Sequence, residues 1–182
     1  EKKNLLIKSK IRLNNILLAI PSSGVHSNGY SLIRKILNKK KINLNRSFPL
    51  YPKLKLELIK PTKIYVKEIV ELNRKKLING CANITGGGII DNLPRIMPEG
   101  YTINVDLNKI KVPQIFKWIK KNKVKDNEML KTFNCGVGFC LIVDKKNVKK
   151  VKTFFTKKYQ PYEIGFVSEG NIRLNIYGKI KW

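Results

Sequence analysis

Twice in this chain a short apolar run is followed by a glycine-bearing polar turn and then by apolar residues at helical spacing. Residues 15–20 (NILLAI) stop at Pro21, pass through Ser22-Ser23-Gly24-Val25-His26-Ser27-Asn28-Gly29, and continue into residues 30–37, apolar at 32, 33, 36 and 37. Residues 82–85 lead through Gly86-Gly87-Gly88 into residues 89–96. A run of that length with β-type composition reads as a strand, and spacing of three and four reads as an amphipathic helix. Each strand must bury its faces, and each helix its stripe. The order therefore predicts an α/β (α+β) two-layer sandwich: a mixed sheet with helices packed on one face.

Other elements fill in that plan. Residues 38–60, with Pro49 and Pro52, read as loop with a short helical piece. Pro61-Thr62 is expected to open a long helix, since proline is tolerated in a first turn. Tyr65, Ile69, Leu72 and Leu77 form its inner face, Glu71 and Lys75 make an ion pair four apart, and Asn79-Gly80 ends it. Residues 101–106 alternate like a half-buried strand. Residues 112–121 form a helix with Phe116 and Ile119 inward, and 147–158 form another. Residues 133–143 (FNCGVGFCLIV) read as one strand, with Gly136 and Gly138 on the same face because side chains alternate. Residues 163–168 and 172–177 read as a terminal hairpin turned by Glu169-Gly170-Asn171. Residues 5–7 already read as strand and position 1 is Glu, so the chain is expected to begin inside a longer protein or to be a trimmed one.

The net charge of +26 raises nucleic acid as a partner. The 38 basic residues are 32 Lys and only 6 Arg. Base readout and bidentate phosphate clamps favour arginine. The lysines are also spread along the chain, and Ile and Asn are inflated with them, as AT-rich codon usage would produce. A solvated lysine coat is the favoured reading, with only weak, salt-sensitive polyanion binding. Cys81, Cys135 and Cys140 form no C-x-x-C pair and a single histidine is present, so no metal site is expected. Free cysteines in apolar stretches fit a reducing cytoplasm. No run of 18 apolar residues is present to cross a membrane.

Three glycine motifs carry the candidate chemistry. In 22–29, glycine lets backbone approach a ligand and a helix N-terminus follows, with hydroxyls, an amide and an imidazole crowding the entry. Capping by Ser27 or Asn28 accounts for one of those residues but not for their density, so the loop is read as a phosphate or ribose site. Taken alone, 84–89 (ITGGGI) suits either ligand contact or a tight turn. Residues 133–138 (FNCGVG) suit a groove beside Asn134 or close packing. His26 is the one candidate for acid–base work. The four aspartates are well separated, so no Mg²⁺ cluster is visible.

LLAIPSSGVHSNGYSLIRKIL, PTKIYVKEIVEL, ITGGGIIDNLPRIMP and NEMLKTFNCGVGF resemble, in order and spacing, successive blocks of the aminoimidazole ribonucleotide synthetase family, in its carboxy-terminal half. Formylglycinamidine ribonucleotide synthetase, selenophosphate synthetase, thiamine-monophosphate kinase and a hydrogenase-maturation protein share the architecture. HSNGYSL with FNCGVG points to the cyclo-ligase among them. The resemblance implies conversion of formylglycinamidine ribonucleotide and ATP to aminoimidazole ribonucleotide, ADP and phosphate. It implies ATP and Mg²⁺ held mainly by an amino-terminal half, a homodimer in the full-length form, and residues 1–14 as the segment linking the halves. Ser22, Ser23, Gly24, His26, Ser27 and Asn28 would line the substrate side, with Thr85, Gly86, Gly87 and Gly88 as a second wall and Asn134 and Gly136 nearby.

Overall fold

The computed structural model of the chain describes residues 6–45 and 51–182. Its elements run β1 (Ile16–Pro21), α1 (Tyr30–Lys39), α2 (Leu54–Leu58), α3 (Val66–Arg74), β2 (Gly80–Asn83), α4 (Gly88–Asn92), β3 (Tyr101–Asp106), α5 (Gln114–Lys121), α6 (Asp126–Thr132), β4 (Val137–Val143), α7 (Val148–Lys152), β5 (Tyr162–Glu169) and β6 (Leu174–Tyr177), with short 3-10 turns between. The strands form one six-stranded sheet in the order β2-β4-β1-β5-β3-β6. Every pairing is antiparallel except β3 with β6. This is the expected mixed α/β sheet.

Alternation along the central strands explains the layering. Leu17 and Ala19 of β1, with Cys140 and Ile142 of β4, face a large core. Ile33 and Ile36 of α1, Leu54 and Leu58 of α2, Ile89 of α4, Phe116 and Ile119 of α5, and Met129 and Leu130 of α6 fill it. Leu18, Ile20, Leu141 and Val143 point the other way and meet Leu72 of α3 and Val151 of α7 in a smaller core. Both faces of β1 and β4 are thus dry, as their unbroken apolar runs require. The second helical layer is an addition to the sequence reading.

Several local expectations are corrected. The helix expected from Pro61 starts at Val66, because the intervening backbone is tied to the 22–29 loop. It ends at Arg74, with Lys76 in the left-handed position, while Gly80 opens β2. The Glu71–Lys75 pair forms at 3.2 Å. Cys135 and Gly136 have positive φ and turn the chain into β4, so Gly136 and Gly138 do not share a strand face. The stretches 89–96 and 147–158 each break into a five-residue helix and 3-10 turns. β3 is buried at its four central residues, not half-buried. Helix α6 had no sequence expectation.

The terminal hairpin does not form. β5 and β6 flank β3, and the turn crosses the start of β3: Gly170 donates its N–H to Gly100 O at 3.1 Å, and Ile103 donates to Arg173 O at 3.1 Å. A hairpin would leave Ile103 and Val105 on an edge, whereas insertion buries both completely. Leu6 and Ile7 lie outside any strand. Leu5 and Pro49 lie outside the described residues.

Candidate functional site

The three glycine segments meet at one end of β1, β2 and β4. β1 delivers the 22–29 loop, and Ser22 donates its N–H to Gly136 O at 2.9 Å. Asn134 is 1% exposed and joins two segments. Its Nδ2 donates to Gly24 O at 3.0 Å and Val25 O at 3.3 Å, while its Oδ1 accepts the Gly136 N–H at 2.8 Å. The segment after β2 arrives beside them. Asn28 Oδ1 lies 3.5 Å from the position a Cβ on Gly86 would occupy, and Ile84 donates its N–H to Gly138 O. Gly24 and Asn134 are thus joined directly, and the triple-glycine segment approaches the 22–29 loop where Gly86 lies beside Asn28.

Close approach explains the glycines at two positions. A Cβ on Gly29, at φ +79°, would fall 2.1 Å from the Phe133 ring. A Cβ on Gly88, at φ +59°, would fall 1.9 Å from Leu130 O. Side-chain atoms here would collide, so glycine is required by packing as well as by φ.

Sequence reasoning missed a fourth segment, residues 61–65. Ser23 Oγ donates to Pro61 O at 2.8 Å and accepts the Lys63 N–H at 3.1 Å. Ser27 Oγ and Thr62 Oγ1 lie 3.5 Å apart. Tyr65 donates its hydroxyl to Pro21 O at 2.9 Å, and that hydroxyl occupies the space where Gly138 has no side chain. Burial, with Tyr159 second, raises the phenol well above its usual range and keeps it a donor. Lys63, half withdrawn from solvent, pairs with Glu68 at 2.8 Å and lies over the Tyr65 and Tyr159 rings at 5.2 and 4.9 Å. The signal was the Pro-Thr-Lys-Ile-Tyr run, read as helix when its polar groups serve the loop. Asn92 was also missed. Its Nδ2 donates to Gly86 O and Gly88 O, and its Oδ1 accepts from Thr85 Oγ1 at 3.3 Å, which fixes the triple glycine.

The candidates therefore divide. Gly24, His26, Gly88, Asn134 and Gly136 are buried and form the frame. Ser27, Thr85 and Gly86 are exposed, and Ser23, Asn28 and Gly87 are half-buried; these make the accessible rim. His26 sits at φ +60° and is 6% exposed. Its Nε2 accepts the Ser23 N–H at 3.2 Å, and burial lowers its pKa from 6.5. The ring is neutral near pH 7 with one nitrogen occupied, which suits it to hold the loop and leaves Nδ1 as its other polar atom.

Two features of the rim are suited to an anion or a hydroxylated ligand. The N-cap of α1 is Gly29, in the left-handed conformation and without a side-chain cap, so neither Ser27 nor Asn28 closes that helix. The first-turn N–H groups carry the positive end of a ten-residue helix dipole. Ser22 is 8% exposed, and its Oγ has no hydrogen-bond partner among the described residues. No group of three or more His, Cys, Asp or Glu among the described residues could hold a metal ion.

Comparison with known proteins gives the family of the chain. Residues 13–176 match the family described as AIR synthase related protein, C-terminal domain. The chain is 42% identical over 175 residues to phosphoribosylformylglycinamidine cyclo-ligase of Fusobacterium nucleatum, covering 94% of this chain and 51% of that protein. It is 37% identical over 171 residues to the protein of the same name from Neisseria gonorrhoeae, covering 93% and 50%. The chain thus spans about half the length of the curated relatives it matches. Among solved structures, thiamine-monophosphate kinase from Stenotrophomonas maltophilia superposes with a TM-score of 0.67 at 13% identity, covering 99% of this chain and 55% of that one. Thermotoga maritima PurL complexed with ADP superposes with a TM-score of 0.56 at 9% identity, covering 97% and 25%. At such identities the structures speak for the fold alone, while the profile match and the cyclo-ligase relatives carry the assignment: this chain belongs to the AIR synthase related protein family, as its C-terminal domain.

Proposed function

We propose that this chain is the substrate-side domain of a phosphoribosylformylglycinamidine cyclo-ligase, the enzyme that closes the imidazole ring of aminoimidazole ribonucleotide at the expense of ATP. The cyclo-ligase relatives at 36–42% identity support the reaction, and their twofold greater length supports a division of labour. One observation carries the assignment of the site. The serine- and asparagine-rich loop leaves the first turn of α1 without a side-chain cap, so its N–H groups are free to take the substrate phosphate. Ser27, Asn28, Thr85 and Gly86 then contact the ribonucleotide from the rim. Ser23 and Gly87 complete the accessible rim, and Ser22, Gly24, His26, Gly88, Asn134 and Gly136 hold it in shape.

The described residues offer no donor set that fits Mg²⁺. In this reading ATP and Mg²⁺ are held mainly by the other half of the enzyme, joined through residues 1–14. The protein works as a cytoplasmic homodimer in this reading. Phosphoryl transfer from ATP would activate the formyl oxygen, and attack of an amidine nitrogen on that carbon would then close the five-membered ring as the C–O bond breaks and phosphate leaves. This domain binds the ribonucleotide and keeps it in register.

The test is phosphate release from ATP in the presence of formylglycinamidine ribonucleotide. The 182-residue chain alone should be inert, and the chain joined to an ATP-binding half should turn over. Robust turnover by the 182 residues alone would overturn the division of labour. Activity of the joined protein on selenide or thiamine monophosphate, with none on the purine precursor, would replace the reaction by that of a sibling enzyme.

A further inference from the structure

Large apolar side chains are exposed together on one part of this surface. Ile64, Val66 and Val70 are 78%, 64% and 51% exposed. All three line a single groove of about 320 Å³, together with Ile69 and Phe139. Val66 and Val70 stand four apart on α3 and so form one stripe. Singly exposed apolar residues are ordinary on any protein, whereas several sharing one concave surface mark a face that another body covers.

The groove is preformed, and its charge is compensated. Tyr65, in its wall, is held through its hydroxyl by Pro21 O at 2.9 Å and lies against the Phe139 ring with centroids 5.3 Å apart. The lysine that lines it, Lys63, is engaged by Glu68 at 2.8 Å. Alongside, Lys67 and Arg74 are interleaved with Glu71. On a chain of net charge +26, such a groove is poorly suited to a polyanion or an anionic lipid surface, which would seek the lysines. It suits the folded surface of another protein domain, which excludes water from an apolar centre inside a polar border.

Two further observations choose the domain. The groove shares residues with the glycine rim: Thr62 lines it, and Thr62 Oγ1 lies 3.5 Å from Ser27 Oγ. Asn83 lines it too and directly precedes Ile84, Thr85 and Gly86. A body seated in the groove therefore stands against the rim. The segment read as the link between the halves runs to the same edge of the sheet. Leu6 and Ile7 share a hollow with Gly80, the first residue of the edge strand β2, and Asn83 is its last. A strand of that length puts the two ends about 10 Å apart. The curated relatives are about twice as long as this chain, which leaves a domain of similar size to be seated.

We infer that the groove formed by residues 62–70 with Asn83 and Phe139 is the docking face for the ATP-binding half of the same protein. The inference rests on the division of labour proposed above. Docking there closes the rim from one side. It also reaches the 22–29 loop, because Ser23 is bonded to Pro61 and Lys63.

The test compares amide exchange in the 182-residue chain and in the chain joined to its ATP-binding half. Amides of 64–70 should exchange at least tenfold more slowly in the joined protein, while those of β6, on the opposite edge of the sheet, stay within twofold. Val66→Lys combined with Val70→Lys should remove that protection and lower phosphate release at least tenfold. Both residues are exposed, so thermal melting of the 182-residue chain should not move. Phe166→Lys combined with Tyr177→Lys, the same change at exposed positions of β5 and β6, should leave release within twofold. Protection on β6 in place of 64–70, or equal loss from the two pairs, would overturn the docking face. A dimer of the 182-residue chain that the Val66/Val70 pair turns into monomer would overturn it too, by giving the groove to a second copy. Protection of 64–70 without phosphate release would uphold the docking face and remove the reaction, whereas release with 64–70 unprotected would overturn the docking face alone.

Discussion

The two glycine loops of the rim are built to opposite plans. The loop at 85–88 is held mainly by its own helix. Asn92, only four residues past Gly88, accepts from Thr85 and donates to Gly86 O and Gly88 O. The loop at 22–29 is held from afar, by Pro61 and Lys63 through Ser23, by Tyr65 through Pro21, and by Asn134, 110 residues away from Gly24. A locally closed loop keeps its shape when the rest of the site is disturbed. A loop held across the fold registers any shift among β1, β4 and the 61–65 segment, and this is the loop that begins α1. The contrast assigns rigidity to one wall and responsiveness to the other.

Gly88 tests a long-range demand on the local loop. Gly88→Ala should lose about 2–5 kcal/mol, the sum of overpacking against Leu130 O and a left-handed residue with a side chain. Chemical denaturation would measure it, and a loss below about 1 kcal/mol would mean that α4 and α6 separate freely. Asn134→Ala comes next. It strands Gly24 O, Val25 O and the Gly136 N–H, at about 2–4 kcal/mol, and amide exchange should rise across 22–29. If exchange rises equally in 85–88, the two loops are one unit and the contrast fails. Asn92→Ala should cost about 1–2 kcal/mol, with exchange rising in 85–88 alone.

A smaller, pH-dependent effect belongs to His26. Burial lowers its folded-state pKa from 6.5, so the unfolded chain binds the proton first. Stability is full above about pH 6.5 and falls as the pH drops from there toward the lowered folded-state value. His26→Gln should flatten that part of the profile in denaturation experiments between pH 5 and 8. An unchanged slope would mean that the ring takes up its proton over the same pH range in the folded and unfolded chain. The smallest effect on stability should come from Ser27→Ala, within about 0.5 kcal/mol because the residue is exposed, although substrate affinity of the joined enzyme should fall.

The legible parts of this molecule have a common character. Residues 15–20 announced β1 because every position after Asn15 is apolar, and Phe116 and Ile119 were placed inward by the 3.6-residue period alone. The blocks around SSGVHSNG, TGGG and FNCGVG marked which turns would matter. The period also marked false elements where polar groups had other tasks. Residues 61–65 looked helical, yet Ser23 and Pro21 take their backbone and hydroxyl groups. The last two strands looked like a hairpin, since no local property of Glu169-Gly170-Asn171 reveals that β3 lies between them.

The sequence by itself determined the strands, the helical stripes and the glycines, because these follow from periodicity and from steric rules that act within a few residues. Only the tertiary structure decided which candidates are frame and which are rim. Asn134 and His26 read as ligands in the sequence and are buried, hydrogen-bonded supports in the fold, whereas Tyr65 and Asn92 gained their roles there. The reason is physical: a polar side chain takes whichever partner the packed chain brings within 3 Å, and that partner can lie a hundred residues away.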